Sequence, residues 1–385
     1  IASLIAAAAL AACGKKEETP AAGTAAPAAA AAAEALPVIK IGHVAPLTGS
    51  IAHLGKDNEN GARLAIDELN EAGVEIGGKK VKLELVSEDD QADAKTATTV
   101  AQRLVDAKVA GVVGHLNSGT TIPASKIYND AGIPQVSPSA TNPDYTRAGF
   151  KTAYRVIAND VAQGKALGGF AVDTLKAKNI AVIDDKTAYG QGLATEFENA
   201  AKAKGATIVT HESTQSDKTD FKAILTNIKA KKPDIVFFGG MDAQAGPMLR
   251  QIKQLGLNVR FLSGDGACSP EMIKLAGDGI TENAYCSMAG LPIDKMPGGA
   301  EFRENYRKRF NADVQVYAPY AYDAAMAIIK SMQAADSVEP SKYLPELKKI
   351  SFDGVTGEVS FDAHGDLQKG AVTIYQFRDG NWVPL

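Results

Sequence analysis

From Val38 onward, short apolar runs alternate with amphipathic helical stretches, and this rhythm constrains the fold more than any other feature of the chain. Val81, Leu83 and Leu85 alternate with polar residues, the period of a strand with one covered face. Val109–Val113, Ile180–Ile183 and Ile235–Phe238 are continuous apolar runs, as in parallel strands buried on both faces. Between such runs, Ala62, Ala65, Ile66 and Leu69 fall at i, i+3, i+4 and i+7, and Phe221, Ile224, Leu225 and Ile228 repeat a helical stripe. Repeated strand–helix alternation predicts an α/β protein with parallel sheets covered by helices. The 385 residues suffice for two such Rossmann-like lobes. Strands near residues 39, 82, 110 and 135 are expected to build one sheet, and strands near 180, 207, 235 and 261 the other. A later helix, about Tyr320 to Met332, carries Ala321, Ala325, Ile328 and Met332 on one stripe.

Open parallel sheets bind ligands beyond the carboxyl ends of their strands, so the strand-to-helix loops are where chemistry is expected. The first is Pro46-Leu47-Thr48-Gly49, with Leu54-Gly55 just beyond. The second runs Gly114-His115-Leu116-Asn117-Ser118-Gly119-Thr120-Thr121 into a helix. Ser118 or Thr120 would cap that helix, offering an anion free backbone N–H groups and a helix dipole. The loop nearly spells a phosphate-binding loop, but Thr120 stands where a lysine is needed, so a carboxylate suits it better. Ordinary capping without a ligand is the competing reading. The third loop, Ser137-Pro138-Ser139-Ala140-Thr141-Asn142-Pro143, presents hydroxyls near a pinned turn. In the fourth, Gly264-Asp265-Gly266, glycines on both sides let Asp265 project from a tight backbone; the alternative is a solvated turn residue.

Composition removes several function classes. A net charge of −4, with basic residues dispersed in pairs such as Lys79-Lys80 and Lys231-Lys232, argues against a nucleic-acid partner. The five histidines stand singly and match no metal-ligand spacing, so neither metal nor cofactor is expected. No Gly-x-Ser-x-Gly elbow is present, and no Gly-x-Gly-x-x-Gly follows the first strand. No enzyme is expected.

Residues 1–12 are uncharged and rich in Ala, Leu and Ile, the composition of a secretory leader whose basic start would precede Ile1. They end Leu10-Ala11-Ala12-Cys13, which resembles a lipobox with Cys13 as the lipidated residue; an Ala-rich helix holding a buried cysteine is the alternative. Residues 13–36, with an alanine run and two prolines but no larger apolar cluster, are read as a tether. In an exported protein Cys268 and Cys286 are either a disulfide or two separate buried thiols.

From about Val38 to Phe377 the chain resembles the leucine/isoleucine/valine-binding proteins of the type I periplasmic-binding fold. The stretches that carry this are Gly114-His115-Leu116 with Ser118, Pro123-Ala124-Ser125, Ser137-Pro138-Ser139-Ala140-Thr141, and Asp184-Asp185-Lys186 with Tyr189-Gly190-Gln191-Gly192. Phe238-Gly239-Gly240, Gly264-Asp265-Gly266 and Phe361-Asp362 with Gly365-Asp366 complete the series in order. The resemblance implies two lobes joined by a three-segment hinge: residues 37–157 plus 289–371, and 158–288 plus 372–385, crossing near Ile157, Met288 and Val372. It implies a monomeric, lipid-anchored solute-binding protein of the periplasm or cell envelope that delivers a free amino acid to ABC permease subunits. Ser118 and the helix start would bind the ligand carboxylate, Thr141 both carboxylate and ammonium, the Ser139 carbonyl an ammonium proton, and Asp265 the ammonium itself. Tyr189 would close over the ligand, with Ala140, Leu116, Asn117 and Tyr317 around it. Leu54 and Met241 stand where the family often has tyrosines, Asp265 where it often has glutamate, and Asn117 with Ala92 replaces a cysteine pair. Two other classes remain: a sensor on the same fold, and an extracytoplasmic α/β hydrolase.

Overall fold

The computed structural model describes Gly14 and residues 36–385; the leader, Cys13 and most of the tether lie outside the described residues. Five parallel strands build the first sheet: β1 (Val38–Ala45), β2 (Lys82–Asp89), β3 (Val112–Gly114), β4 (Gln135–Ser137) and β5 (Ala153–Arg155), in the order β2-β1-β3-β4-β5. The second sheet has seven: β6 (Asn179–Asp184), β7 (Thr207–Ser213), β8 (Ile235–Gly239), β9 (Arg260–Ser263), β10 (Ala284–Met288), β11 (Thr373–Arg378) and β12 (Asn381–Pro384). Its order is β12-β11-β10-β9-β8-β6-β7, parallel except for β11 and β12. The α/β class with parallel-sheet lobes is therefore as the alternation predicts.

The apolar stripes face inward. Ala62, Ala65 and Ile66 of α1 (Ala52–Ala72) are buried, with Leu69 half-buried. Ala321, Ala325, Ile328 and Met332 of α10 (Ala318–Ala334) are wholly buried. The two helices cross closely at Gly61, where a Cβ would meet the Ala318 carbonyl oxygen at 2.0 Å, so only glycine fits. The remaining helices that position the site are α2 (Ala94–Asp106), α3 (Ser118–Asp130), α4 (Asp160–Gly169), α5 (Ala188–Ala203), α6 (Lys222–Ala230), α7 (Asp242–Gln254), α8 (Pro270–Ala276) and α9 (Gly299–Phe310).

Three local expectations need correction. The apolar run Val109–Val113 becomes strand only from Val112, because Lys108 adopts a left-handed turn and Val109 packs under it. Asn117, in extended conformation, is the N-cap of α3, and its side chain makes no capping bond. The Thr120 and Thr121 hydroxyls donate instead to the Asn117 carbonyl, at 3.1 and 2.8 Å. Finally, β5, β10 and the antiparallel β11–β12 ribbon extend both sheets beyond the eight strands expected.

Candidate functional site

The strand-to-helix loops of the two sheets face one another, as their topology requires. Between them lies a cavity of ≈ 270 Å³, lined on one side by Thr48, Ser50, Ile51, Gln91 and Asn117 and on the other by Asp185, Thr187, Tyr189, Ser216, Met241 and Gln244. Of the residues expected at a ligand, Asn117, Tyr189 and Met241 line this cavity. Leu54, Leu116, Ser118, Ser139, Ala140, Thr141, Asp265 and Tyr317 do not; all are buried around it.

Asp265 opens a single 3-10 turn after β9 and is 1% exposed, so it is no solvated turn residue. Its Oδ1 accepts from Tyr189 Oη at 3.0 Å and Gln163 Nε2 at 2.9 Å, and its Oδ2 from Tyr317 Oη at 2.8 Å. Gly264 makes the approach possible: a Cβ there would meet Leu193 at 2.3 Å and the Tyr189 hydroxyl at 2.7 Å. Burial pushes the Asp265 carboxyl above its ordinary value, against the lowering effect of the Gln163, Tyr317 and Tyr189 donors. Burial, and then the Asp265 charge, hold both phenols protonated well above their usual range, so they remain donors.

Sequence reasoning missed the other half of this cluster. Gln163 on α4 donates to Asp265 and, at 3.3 Å, to Asp160 Oδ1, while its carbonyl accepts from Ser287 Oγ at 2.8 Å. Asp160 is wholly buried, and its Oδ2 has no hydrogen-bond partner. Burial and then the Asp265 charge drive its carboxyl well above the ordinary range. Thr141, whose carbonyl accepts from the Asp160 N–H at 2.9 Å, is also wholly buried, and its hydroxyl faces the Asp160 carboxyl without good hydrogen-bond geometry. Two buried carboxyls, both raised above their ordinary range, thus converge with the Thr141 hydroxyl, while the nearby Arg155 guanidinium is already paired with Asp366. The only signal in the sequence was the Asp160-x-x-Gln163 spacing, one helical turn after the first sheet ends.

The opposing wall can take an anion. Ser118 opens α3, where the first N–H groups have no intrahelical partner, and its Oγ accepts from Asn142 N at 3.2 Å. The Ser137–Asn142 loop is braced from below by Arg155, wholly buried on β5. Its guanidinium donates to the Ala140 and Asn142 carbonyls at 2.7 and 2.9 Å and pairs with Asp366 at 2.5 Å. Ser139 Oγ donates to the Leu116 carbonyl at 3.0 Å and accepts from Asn58 at 3.2 Å, so this hydroxyl belongs to the scaffold. Cys268 and Cys286 are bonded, with Cα atoms 5.4 Å apart, tying the loop after Asp265 to β10. Among the described residues no cluster of metal ligands occurs, and no helix is long and apolar enough to cross a membrane.

Residues 38–381 match the family model described as periplasmic binding protein. An amino acid binding protein of Pseudomonas aeruginosa is 35% identical over 346 residues, 90% of this chain and 91% of its own length. A leucine-, isoleucine-, valine-, threonine-, and alanine-binding protein of the same organism is 34% identical over 89% of this chain and 91% of its own length. Among solved structures, the branched-chain amino acid transporter substrate-binding protein LivJ of Streptococcus pneumoniae, in complex with isoleucine, superposes with a TM-score of 0.80. It is 29% identical, over 90% of this chain and all of its own. The leucine-binding protein LivK of Thermotoga maritima gives a TM-score of 0.82 at 27% identity, over 90% of this chain and 97% of its own.

Proposed function

This chain belongs to the periplasmic binding protein family, and from that premise we propose that it captures a free neutral amino acid, a branched-chain one foremost, and hands it to an ABC importer without chemical change. The observation that carries this reading is the Asp265 cluster. Each carboxylate oxygen accepts about two hydrogen bonds. Oδ1 already takes two donors and Oδ2 one, so an ammonium can join at Oδ2 without displacing the protein's own donors. The Asp160 carboxyl and the Thr141 hydroxyl, which face each other without good hydrogen-bond geometry, supply two further partners. A zwitterion laid across the cleft would set its ammonium there and its carboxylate on Ser118 and the start of α3.

Capture then proceeds by closure. An amino acid docks in an open cleft, and hinge bending near Ile157, Met288 and Val372 brings Tyr189 and Asp265 over it. Desolvation strengthens each charged contact as water leaves. The lobes are residues 37–157 plus 289–371 and 158–288 plus 372–385, a monomer held at the membrane through Cys13 and its tether. Calorimetric titration with leucine, isoleucine, valine, threonine and alanine tests the ligand: saturable binding of at least one, with the amino acid recovered intact, is expected. Failure of all five removes the amino-acid reading. Cys13→Ala should leave the protein out of the membrane fraction; unchanged partition would discard the anchor.

A further inference from the structure

His53 on α1 and Asp242, the first residue of α7, are joined by a bond of 2.7 Å from Nε2 to Oδ2. Among the described residues it is the only ion pair that links the first sheet's lobe to the second's; every other pair closes within one lobe. Asp242 is wholly buried, while the His53 side chain keeps 24% exposure, enough to exchange protons with water. Within its own lobe Asp242 has only the Ser269 hydroxyl, on the same Oδ2; its Oδ1 is buried without a partner. The imidazole is therefore the donor that the first lobe brings to this carboxylate.

The other side-chain contacts between the lobes bring a neutral donor, as Asn159 Nδ2 does to Asp366 at 3.0 Å. Asn142 Nδ2 donates to the Ala188 carbonyl at 2.6 Å, and Tyr317 reaches Asp265 with a phenol that stays protonated. None of these donors changes charge between pH 5 and 8, whereas a histidine does. We propose that His53 is a positioning residue for capture, a latch that holds the lobes shut through Asp242, so that closure takes up a proton. This rests on the reading that the lobes open and close around a ligand.

The groups facing His53 give the sign. Burial disfavours its charged form. Asp242 on α7 outweighs that, helped by Glu271 on α8 and Asp57 on its own helix, and the imidazole is raised above its ordinary value of 6.5. The open form, with Asp242 withdrawn, lacks the main raising contact. The latch is then at full strength below pH 6.5 and is lost as pH rises through the raised value of the closed form.

Nitroxide labels on cysteines replacing Lys95 and Lys218, exposed residues close in sequence to the cavity-lining Ala92 and Asp217 of the two lobes, report closure directly. Without ligand, the ratio of closed to open populations should grow about two- to fivefold between pH 8.5 and pH 5.5, the range of a partly exposed ion pair. The leucine Kd should tighten by the same factor. In His53→Gln and Asp242→Asn both slopes should shrink to the part contributed by cleft carboxyls such as Asp185, which burial raises to about 6. A flat parent profile, or an undiminished slope in His53→Gln, overturns the latch. If leucine leaves the distances unchanged but pH shifts them in a His53-dependent way, the latch stands and the ligand reading falls. Distances that respond to neither sink the latch.

Discussion

Two buried carboxylates, Asp57 and Asp265, meet at opposite ends of one residue. The Tyr317 backbone N–H donates to Asp57 at 2.7 Å, while its hydroxyl donates to Asp265 at 2.8 Å. Asp57 is otherwise held by the backbone N–H groups of Gln315, Val316 and Ala318, each at 2.9 Å, and by the Tyr306 hydroxyl at 3.1 Å. Asp265 is held by three side chains, Gln163, Tyr189 and Tyr317, from three different helices or their caps. Backbone donors at the start of α10 are fixed with the fold, so Asp57 is part of the frame. Side-chain donors can turn, and they come from both lobes, so Asp265 is held by groups whose positions depend on closure. On the proposed reading, equal burial serves structure in one case and capture in the other, and the type of donor separates them.

The sharpest way to break this contrast is to remove each carboxylate. Asp265→Ala should weaken binding of the best amino acid by roughly two to four decades, since an uncompensated buried charge costs about 3–5 kcal/mol. Its unfolding free energy should change less than that of the Asp57 variant, because losing a costly buried carboxyl offsets the stranded Gln163, Tyr189 and Tyr317 donors, which are side chains free to turn. Calorimetry and denaturant unfolding on one preparation read both quantities. Parent-like affinity would make Asp265 a structural residue and erase the distinction. Asp265→Asn, which keeps the shape and one acceptor oxygen, should fall between the two in affinity.

Asp57→Ala should do the reverse. It strands four N–H groups, three of them buried and each of those costing about 1–3 kcal/mol when unpaired, so a loss of about 3 kcal/mol or more is expected in denaturant unfolding. The fraction that still folds should bind within a few-fold of the parent. A stability change under about 1 kcal/mol would show that water or a neighbour replaces the carboxylate, and that Asp57 is not the frame.

The sequence made Asp265 visible and left Asp57 hidden for a physical reason. Asp265 sits between glycines at a strand end, where topology directs attention. Asp57 lies in an amphipathic helix, where a charged residue reads as solvated. Asp57, Asn58, Glu59 and Asn60 are all buried, because α1 is covered both by the sheet and by the segment entering α10. Asp160 and Gln163 were missed similarly: they follow a strand too short to stand out, and their partners lie about 100 residues away in Gln163–Asp265 and Gln163–Ser287 pairs separated by 102 and 124 positions. The sheets were legible because they depend on local period. The His53–Asp242 pair, separated by 189 positions, depends on two lobes meeting, which no local pattern encodes.

Tyr317→Phe sharpens the comparison on a smaller scale, since it deletes the hydroxyl on Asp265 and leaves the backbone bond to Asp57. Stability should change by about 1 kcal/mol or less, and affinity should weaken by roughly ten- to a hundredfold, the worth of one hydrogen bond to a charged group. A large stability loss would mean that the two carboxylates form a single structural network.

Thr141→Val is the smallest expected effect and the most diagnostic in sign. The Thr141 hydroxyl is wholly buried and faces only the Asp160 carboxyl, without good hydrogen-bond geometry. A buried polar group without a partner costs free energy, so replacing it by a methyl group of similar volume should stabilise the empty protein by about 1 kcal/mol. If the hydroxyl is kept for an amino acid, the same change should weaken binding by about tenfold or less. Stability and affinity therefore move in opposite directions, which packing damage would not produce. Loss of both together would show that Thr141 supports the loop rather than the ligand, and unchanged affinity with improved stability would remove it from the site.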